Sequence, residues 1–573
     1  MNSFLPSQIL KIFNGIPTFK NTFARTKTDV MMKKCLVVIL LSLPFIGYGQ
    51  NENSTQIDNW PKFQAAPYEK NKVEGHDFSV TISDMPDTNF VIGYHQGGKT
   101  YIRTTVKSNS KGTAVIQGEE TWEGGVYLVA VEGVSLFEFV YSGTEKGFSL
   151  VTNSKTSIAD MKIKNSKENE LFIGYQRERI KRGKVSQRLN DRYTKNKEAN
   201  NEDSLKVIRK IANKAGDALH DYQLKLADDN PTTMVALIIN LMREPEVPAP
   251  PVAKGDTPID TALWQYIYYK KHFWDHVDFR DDRILRTPII RDRVGKYIGP
   301  KLTVQMPDSI CPSAMALIDK ARASNKEVYK NVLTWILSKY ENSNIMGMNA
   351  VVVCLGQKYY INDPEVDWLK EKQRKKFTEF LAKEGNVIVG KKAKELVMVD
   401  YEGVPRSLHS INSDYTVAYF YSSTCGHCKK VTPKMKKIFD DYKDKGLNVY
   451  AVNTDYKEVK NDEGETINMV ESKEYRNYVE ELKLDWINVA DPLNQSGFRT
   501  FYNIYSTPVI YLLDKEKKFI GIRLDWYTLR RMLLHEIDGM KHEDIEKWMK
   551  DNGFVPDKKE EGEDGEEKPE TDH

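Results

Sequence analysis

The chain has 573 residues, of which 40% are hydrophobic and 29% are charged. This length exceeds what one hydrophobic core usually organises, so we expect about two to four domains, and the composition excludes a collagen-like or wholly disordered chain. The formal net charge is +3, but residues 1–49 carry six Lys or Arg and one Asp, so the remainder has a charge of −2. A near-neutral chain offers no electrostatic basis for binding nucleic acid.

The apolar run from Cys35 to Tyr48 predicts a bacterial signal peptide at residues 32–49. A pair of lysines precedes the run, a small-residue pattern closes it, and it is too short to span a bilayer comfortably. We therefore expect residues 1–31 to be an upstream extension and the mature chain to start near Gln50. The expected location is the periplasm or cell envelope, with no transmembrane span after the signal is removed.

The mature chain changes its periodicity along its length. Short alternating apolar runs separated by glycine turns predict a small antiparallel β domain. A longer period with mixed charges then predicts an α-helical middle domain, which a proline-rich stretch at residues 244–251 interrupts. The last residues are mostly charged, Gly or Pro, which predicts a disordered tail. The predicted boundaries are 50–71 for a spacer, 72–166 for the β domain, 167–386 for the helical domain, 387–541 for a third domain, and 542–573 for a carboxy-terminal segment with the acidic tail.

The motif CGHC at residues 425–428 lies between a predicted buried strand, 416–421, and a predicted helix, 429–442. Free amides and the dipole at a helix amino terminus stabilise a thiolate, which is the attacking species in thiol–disulfide exchange. Cys425 is therefore predicted to be the nucleophile, and Cys428 is predicted to resolve the mixed disulfide. A CxxC pair also binds zinc, but no second ligand pair lies nearby, so no metal or cofactor is predicted.

The chain around this motif resembles the thioredoxin superfamily. Thr507-Pro508, which precedes an apolar strand, matches that family's cis-proline, and a helix-containing insertion before it is similar to the TlpA-like secreted branch of Bacteroidetes type. Over residues 388–541 the resemblance implies an α/β fold with a central mixed sheet flanked by helices, and it implies that Pro508 shapes the substrate groove. The expected later elements are strands at 447–453, 509–513 and 518–523 and a helix at 526–540.

Two features of the motif leave the mechanism open. Gly426 and His427 match the dipeptide of oxidising, isomerase-like members, whereas TlpA-like proteins often act as reductants fed by a membrane donor, so the direction of electron flow is undecided. Tyr419 stands where thioredoxin buries an aspartate, so the acceptor of the resolving cysteine's proton is also undecided. Asp455, Glu458 and a water are the alternatives.

Two other pairs have competing interpretations. Cys311 and Cys354 could form a structural disulfide in an oxidising envelope, or Cys354 could be a buried thiol in its apolar run. His272 and His276 are spaced to hold a metal on one helix face, but no third ligand is identifiable, so a solvated or aromatic-packed pair is preferred.

The sequence therefore predicts a cell-envelope thiol:disulfide oxidoreductase that acts on protein cysteine pairs, with a membrane electron donor or acceptor as a candidate partner. The alternative is a binding or scaffold protein whose thioredoxin-like domain is a redox-sensitive adaptor, and turnover separates the two. A peroxide-reducing enzyme fits less well, because Ser422 stands where peroxiredoxins have a threonine three residues before the cysteine.

Overall fold

The computed structural model describes residues 74–251, 260–455, 459–460, 463–464, 466–467, 472–491 and 494–555. The predicted upstream extension, signal peptide, spacer and acidic tail lie outside these ranges, as does Glu458. The chain divides into two compact units. The first is Met1–Val304 with Ala316–Val332, and the second is Gln305–Met315 with Leu333–His573. Within the described ranges, no helix has the length and apolarity needed to cross a membrane.

Two four-stranded sheets begin the first unit, with strand orders β4-β1-β7-β8 and β3-β2-β5-β6. Their buried faces share a core that includes Phe78, Trp122 and Phe139. The predicted antiparallel β domain is confirmed except at one pair, because β1 and β7 run parallel. These strands are separated by the whole second sheet, and only such a long crossover can join parallel neighbours. The strands are β1 (His76–Ile82), β2 (Asn89–Gln96), β3 (Lys99–Lys107), β4 (Thr113–Gly118), β5 (Gly125–Val131), β6 (Val134–Tyr141), β7 (Phe148–Thr152) and β8 (Lys162–Lys164).

Helices follow the sheets, as predicted. The first helix begins where the Ser166 side chain accepts a hydrogen bond from the backbone of Asn169, which satisfies one free amide of the first turn. The proline-rich stretch 244–251 is not helical. The helices of the first unit are α1 (Lys167–Glu198), α2 (Glu202–Asp229), α3 (Met234–Met242), α4 (Thr261–His272) and α5 (Ile290–Ile298), and α6 (Pro307–Arg322) and α7 (Lys326–Glu341) contribute to both units.

The second unit contains further helices ahead of its sheet. A disulfide joins Cys311 to Cys354, with 6.7 Å between their Cα atoms, so the interpretation of Cys354 as a buried free thiol is wrong. A π-helical turn at Gly356–Ile361 follows α8 without a break. The helices of this segment are α8 (Asn349–Leu355) and α9 (Glu371–Glu384).

A seven-stranded mixed sheet in the order β10-β9-β15-β12-β11-β16-β17 forms the centre of the second unit. Strand β11 is buried on both faces because Val417, Tyr419 and Tyr421 face one helical layer while Ala418 and Phe420 face the other. This arrangement confirms the predicted central mixed sheet flanked by helices. The strands are β9 (Val397–Asp400), β10 (Pro405–Ser407), β11 (Tyr415–Tyr421), β12 (Leu447–Asn453), β13 (Val459–Lys460), β14 (Thr466–Ile467), β15 (Ile487–Ala490), β16 (Val509–Asp514) and β17 (Phe519–Leu524).

The helices around this sheet are α10 (Gly426–Tyr442), α11 (Lys473–Glu481), α12 (Phe498–Phe501), α13 (Trp526–Glu536) and α14 (His542–Asp551). The expected helix at 526–540 ends four residues early, because Gly539 adopts a left-handed conformation with φ +65° that does not continue a helix. Helix α14 then packs Ile545 and Met549 against Leu534. The predicted carboxy-terminal segment therefore begins with an ordered helix.

Candidate active site

The CGHC motif occupies the turn from strand β11 into helix α10. Cys425 is the amino-terminal cap of the helix, with an extended backbone, and Gly426 is the first helical residue. Cys425 is half-buried and His427 is exposed, whereas Cys428 has no exposed surface. The nucleophile predicted from the sequence is thus the accessible cysteine, and the predicted resolving cysteine is covered.

The loop before β16 approaches the same cysteine. The Thr507–Pro508 peptide bond is cis, and both residues are half-buried. The Cys425 Sγ lies 3.6 Å from the carbonyl oxygen of Thr507. The fold therefore brings the two cysteines, Cys425 and Cys428, next to Thr507 and Pro508, although 80 positions separate Cys428 from Pro508 in the chain.

The two thiols have opposite acidities. Partial burial raises the pKa of Cys425, but hydrogen bonds from Cys428 and Thr507 outweigh it and hold this pKa below that of an ordinary thiol. Burial raises the pKa of Cys428 to about 11, and the Cys425 charge adds to the rise. The backbone N–H of Ser422 donates to the Cys428 Sγ at 3.4 Å. Cys425 is therefore the cysteine that ionises first.

Asp455, one of the alternatives for the proton acceptor, is bound to the loop ahead of the motif. Its carboxylate accepts hydrogen bonds from the backbone N–H of Ser423 at 2.9 Å and from its hydroxyl at 2.6 Å. The Ser422 hydroxyl is 3.0 Å from that of Thr424. Asp455 thus fixes the turn in which the preceding amide, that of Ser422, donates to Cys428, rather than lying free in solvent.

Three hydroxyl groups meet on the inner side of helix α10. The Thr432 Oγ1 lies 2.8 Å from the hydroxyl of Tyr419 and 2.8 Å from that of Tyr478. The Tyr478 hydroxyl is also 3.4 Å from the carbonyl oxygen of Cys428. Tyr419, which the sequence matches to the aspartate position of thioredoxin, is therefore part of a hydroxyl network.

A buried carboxylate supports the loop that leads to the cis-proline. Glu384, the last residue of α9, accepts a hydrogen bond from the Asn503 side chain at 2.8 Å and one from Arg523 at 2.8 Å. Asn503 is buried, and both donors have a positive φ, 52° and 49°. The helical segment thus holds two strained positions of the sheet domain in place.

Sequence reasoning missed Thr432, Tyr478 and Glu384. Thr432 is a small hydroxyl residue on the mostly apolar buried face of α10, and this is the signal that could have marked it. Of the two histidines, His272 stacks on Tyr268 and bonds Asp275, which agrees with the aromatic-packed interpretation for that residue. Across the described ranges, no group of three or more His, Cys, Asp or Glu is arranged to hold a metal ion.

Known proteins resemble the region that contains this site. A family model described as the AhpC/TSA family matches residues 389–520. The thiol-disulfide oxidoreductase ResA of Bacillus cereus is 25% identical over 141 residues, which cover 25% of this chain and 72% of that protein. ResA of Geobacillus kaustophilus is 26% identical over 139 residues, which cover 24% and 71%. The carboxy-terminal domain belongs to the thioredoxin superfamily. The predicted TlpA-like resemblance is confirmed for this thioredoxin domain.

Solved structures are similar to parts of the chain. A domain of a possible thiol-disulfide isomerase from Cytophaga hutchinsonii is 33% identical, and the match covers 27% of this chain and 95% of that one with a TM-score of 0.23. A thioredoxin-like protein from Bacteroides caccae is 18% identical, with coverage of 50% and 98% and a TM-score of 0.37. A second family model, described as a domain of unknown function (DUF5106), matches residues 194–384.

Proposed function

We propose that the chain is a cell-envelope thiol:disulfide oxidoreductase in which Cys425 and Cys428 exchange a disulfide with cysteine pairs of client proteins. The observation that carries this proposal is the asymmetry of the two thiols. Cys425 is accessible and has a lowered pKa, whereas Cys428 is fully buried and has a raised pKa. Dithiol exchange requires an accessible thiolate beside a protected thiol that attacks second.

In the reducing direction, the Cys425 thiolate attacks a client disulfide and forms a mixed disulfide. The first client sulfur leaves as a thiolate and takes up a proton. Cys428 then loses its proton and attacks the Sγ of Cys425, which closes the Cys425–Cys428 bond and releases the second client thiol. Two electrons and two protons pass to the client, and the oxidising direction reverses each step without a cofactor.

The backbone around Thr507 and Pro508 gives a client strand a surface beside the nucleophile. The proposed envelope location depends on the apolar run at residues 35–48, which has the pattern of a secretion signal. An oxidoreductase in the envelope must gain or lose two electrons in each catalytic cycle, and we propose a membrane protein as the partner that supplies or accepts them. The Bacillus and Geobacillus relatives are named as thiol-disulfide oxidoreductases, which supports the same reaction class.

The test is the reduction potential of the Cys425–Cys428 pair, titrated against a series of glutathione ratios. The Cys311–Cys354 disulfide would titrate in the same assay, so both of its cysteines are first replaced by serine. We expect one cooperative two-electron transition in this background. The further substitution Cys425→Ser should abolish it.

The value of the potential assigns the direction of electron flow. A potential near about −270 mV indicates a reductant, and one between about −120 and −180 mV indicates an oxidase or isomerase. The absence of any cooperative transition would contradict the proposal. That result would favour a scaffold protein whose thioredoxin domain binds partners without turnover.

A further inference from the structure

The group that lies beneath the resolving cysteine is a chain of hydroxyls. Tyr419, on β11, and Thr432, on α10, are both fully buried, and Tyr478, on α11, is 9% exposed. Hydroxyls buried to this extent need hydrogen-bond partners, and each of these three finds one in the chain. The Thr432 oxygen lies 2.8 Å from both phenol oxygens, so the three groups form one continuous network.

This hydroxyl network ends at the backbone of Cys428. The Tyr478 hydroxyl is 3.4 Å from the Cys428 carbonyl oxygen, and Thr432 follows Cys428 by one helical turn. The titratable groups that interact with Cys428 are Cys425, Tyr419 of β11 and Tyr478 of α11. His427 lies in the first turn of α10, and Asp455 lies directly after β12. The Asp455 carboxylate already accepts two hydrogen bonds from Ser423.

The two phenols are neutral at physiological pH. Burial and, to a smaller extent, the Cys428 charge raise the pKa of both, to about 12 for Tyr478. A neutral phenol does not accept the thiol proton as a base, but it donates a hydrogen bond that strengthens when negative charge develops nearby. A linked series of such donors responds as a unit in a low-dielectric interior.

We propose that Tyr419, Thr432 and Tyr478 are positioning residues of the resolving step, in which their hydroxyl chain orients the first turn of α10 and stabilises the charge that develops on Cys428. This inference depends on the proposed function. In the step, the Cys428 S–H bond breaks, the Cys428–Cys425 bond forms, and the client sulfur leaves with both electrons of the mixed disulfide bond. The proton passes to that client sulfur, and the hydroxyls undergo no net change.

Stopped-flow reaction with 5,5′-dithiobis(2-nitrobenzoate) separates the two halves of the cycle. The reduced protein, in the background with serine at positions 311 and 354, releases one chromophore when Cys425 attacks. A second chromophore is released when Cys428 displaces it from the mixed disulfide. The first phase is therefore an internal control for the second, and both are recorded between pH 6 and 10.

We expect Tyr419→Phe and Tyr478→Phe to slow the second phase about tenfold, a factor within the range for the loss of one hydrogen bond. The pH midpoint of that phase should move upward, while the first phase changes less than about twofold. Thr432→Val should act in the same way, and Thr432→Ser, which keeps the hydroxyl, should restore the rate. Tyr421→Phe is the matched control.

Tyr421 is equally buried on the same strand, but its hydroxyl lies 3.5 Å from Asn488 and is not part of the hydroxyl network. If the second phase and its pH midpoint are the same in all the variants, the inference is wrong. It is also wrong if Asp455→Asn shifts the midpoint and the tyrosine variants do not. If a phenylalanine variant does not fold, the two Thr432 variants decide the test. A wild-type protein with a first phase and no second would refute the proposed function itself.

Discussion

Replacement of Glu384 by alanine tests whether the helical segment is an energetic part of the thioredoxin domain. Glu384 is 5% exposed, and its carboxylate accepts hydrogen bonds from three side chains. Asn503 and Asn349 donate at 2.8 and 3.1 Å, and Arg523 donates at 2.8 Å. The alanine variant leaves the buried Asn503 amide without an acceptor, whereas Asn349 retains the Val387 carbonyl oxygen at 3.0 Å.

The cost follows from these contacts. A buried donor that loses a charged acceptor costs roughly 1.5–3 kcal/mol. The Arg523 side chain is 42% exposed, so its ion pair adds about 1 kcal/mol at most after solvent screening. We therefore expect Glu384→Ala to destabilise the second unit by on the order of 3 kcal/mol. For a unit of this size, the fall in Tm is roughly 6–12 °C.

Differential scanning calorimetry measures this change. Glu384→Gln keeps one carbonyl acceptor and should lose about half as much stability. Glu379→Ala, an exposed glutamate on the same helix, is the matched control and should change the Tm by no more than about 1 °C. If Glu384→Ala behaves like Glu379→Ala, the hydrogen bonds to Asn503 and Arg523 contribute no net stability, and the argument is refuted.

Three further predictions concern other titratable and cysteine residues. Burial raises the pKa of Glu168 to about 7, above its ordinary 4.5, so the folded state holds a proton that the unfolded chain has lost, and stability falls as the pH rises from about 4.5 to 7. Glu168→Gln should therefore stabilise the protein by on the order of 3 kcal/mol at pH 8 and by little at pH 4, as measured by urea unfolding. Iodoacetamide at pH 7 should modify Cys425 well before Cys428 in mass spectra, and equal labelling would contradict the assigned roles. Replacement of Cys311 and Cys354 by serine opens a loop with a sequence separation of 43 and should cost about 4 kcal/mol in unfolding experiments, without loss of thiol exchange.

The sequence predicts the secondary structure of the thioredoxin domain where the pattern is local. Strand β12 has the predicted bounds, Leu447–Asn453, because its apolar run is continuous and Gly446 supplies a left-handed turn directly before it. Helix α10 begins at the motif for a similar reason, since its apolar residues keep one spacing up to Tyr442. Cys425 and Cys428 were therefore predictable from adjacent residues alone.

The residues that support the site come from distant parts of the chain. Tyr478 reaches Thr432 across 46 positions, and neither helix sequence indicates which residue its hydroxyl meets. Periodicity gives the face on which a side chain lies but not the residue that it meets there. The hydroxyl chain thus becomes visible only when α10, α11 and β11 are packed together.

The boundary predicted at 386–387 shows the same limit. Both the change of period and the two family matches, which end at 384 and begin at 389, fall close to this point. Leu333–His573 nevertheless lies within one compact unit. The hydrogen bonds that Glu384 accepts from Asn503 and Arg523 cross the predicted boundary inside this unit. A change of period marks where one kind of secondary structure ends, whereas a cooperative unit ends where stabilising contacts end. A thioredoxin domain that starts at residue 387 would therefore lack the acceptor for Asn503, four residues before Thr507 and the contact with Cys425.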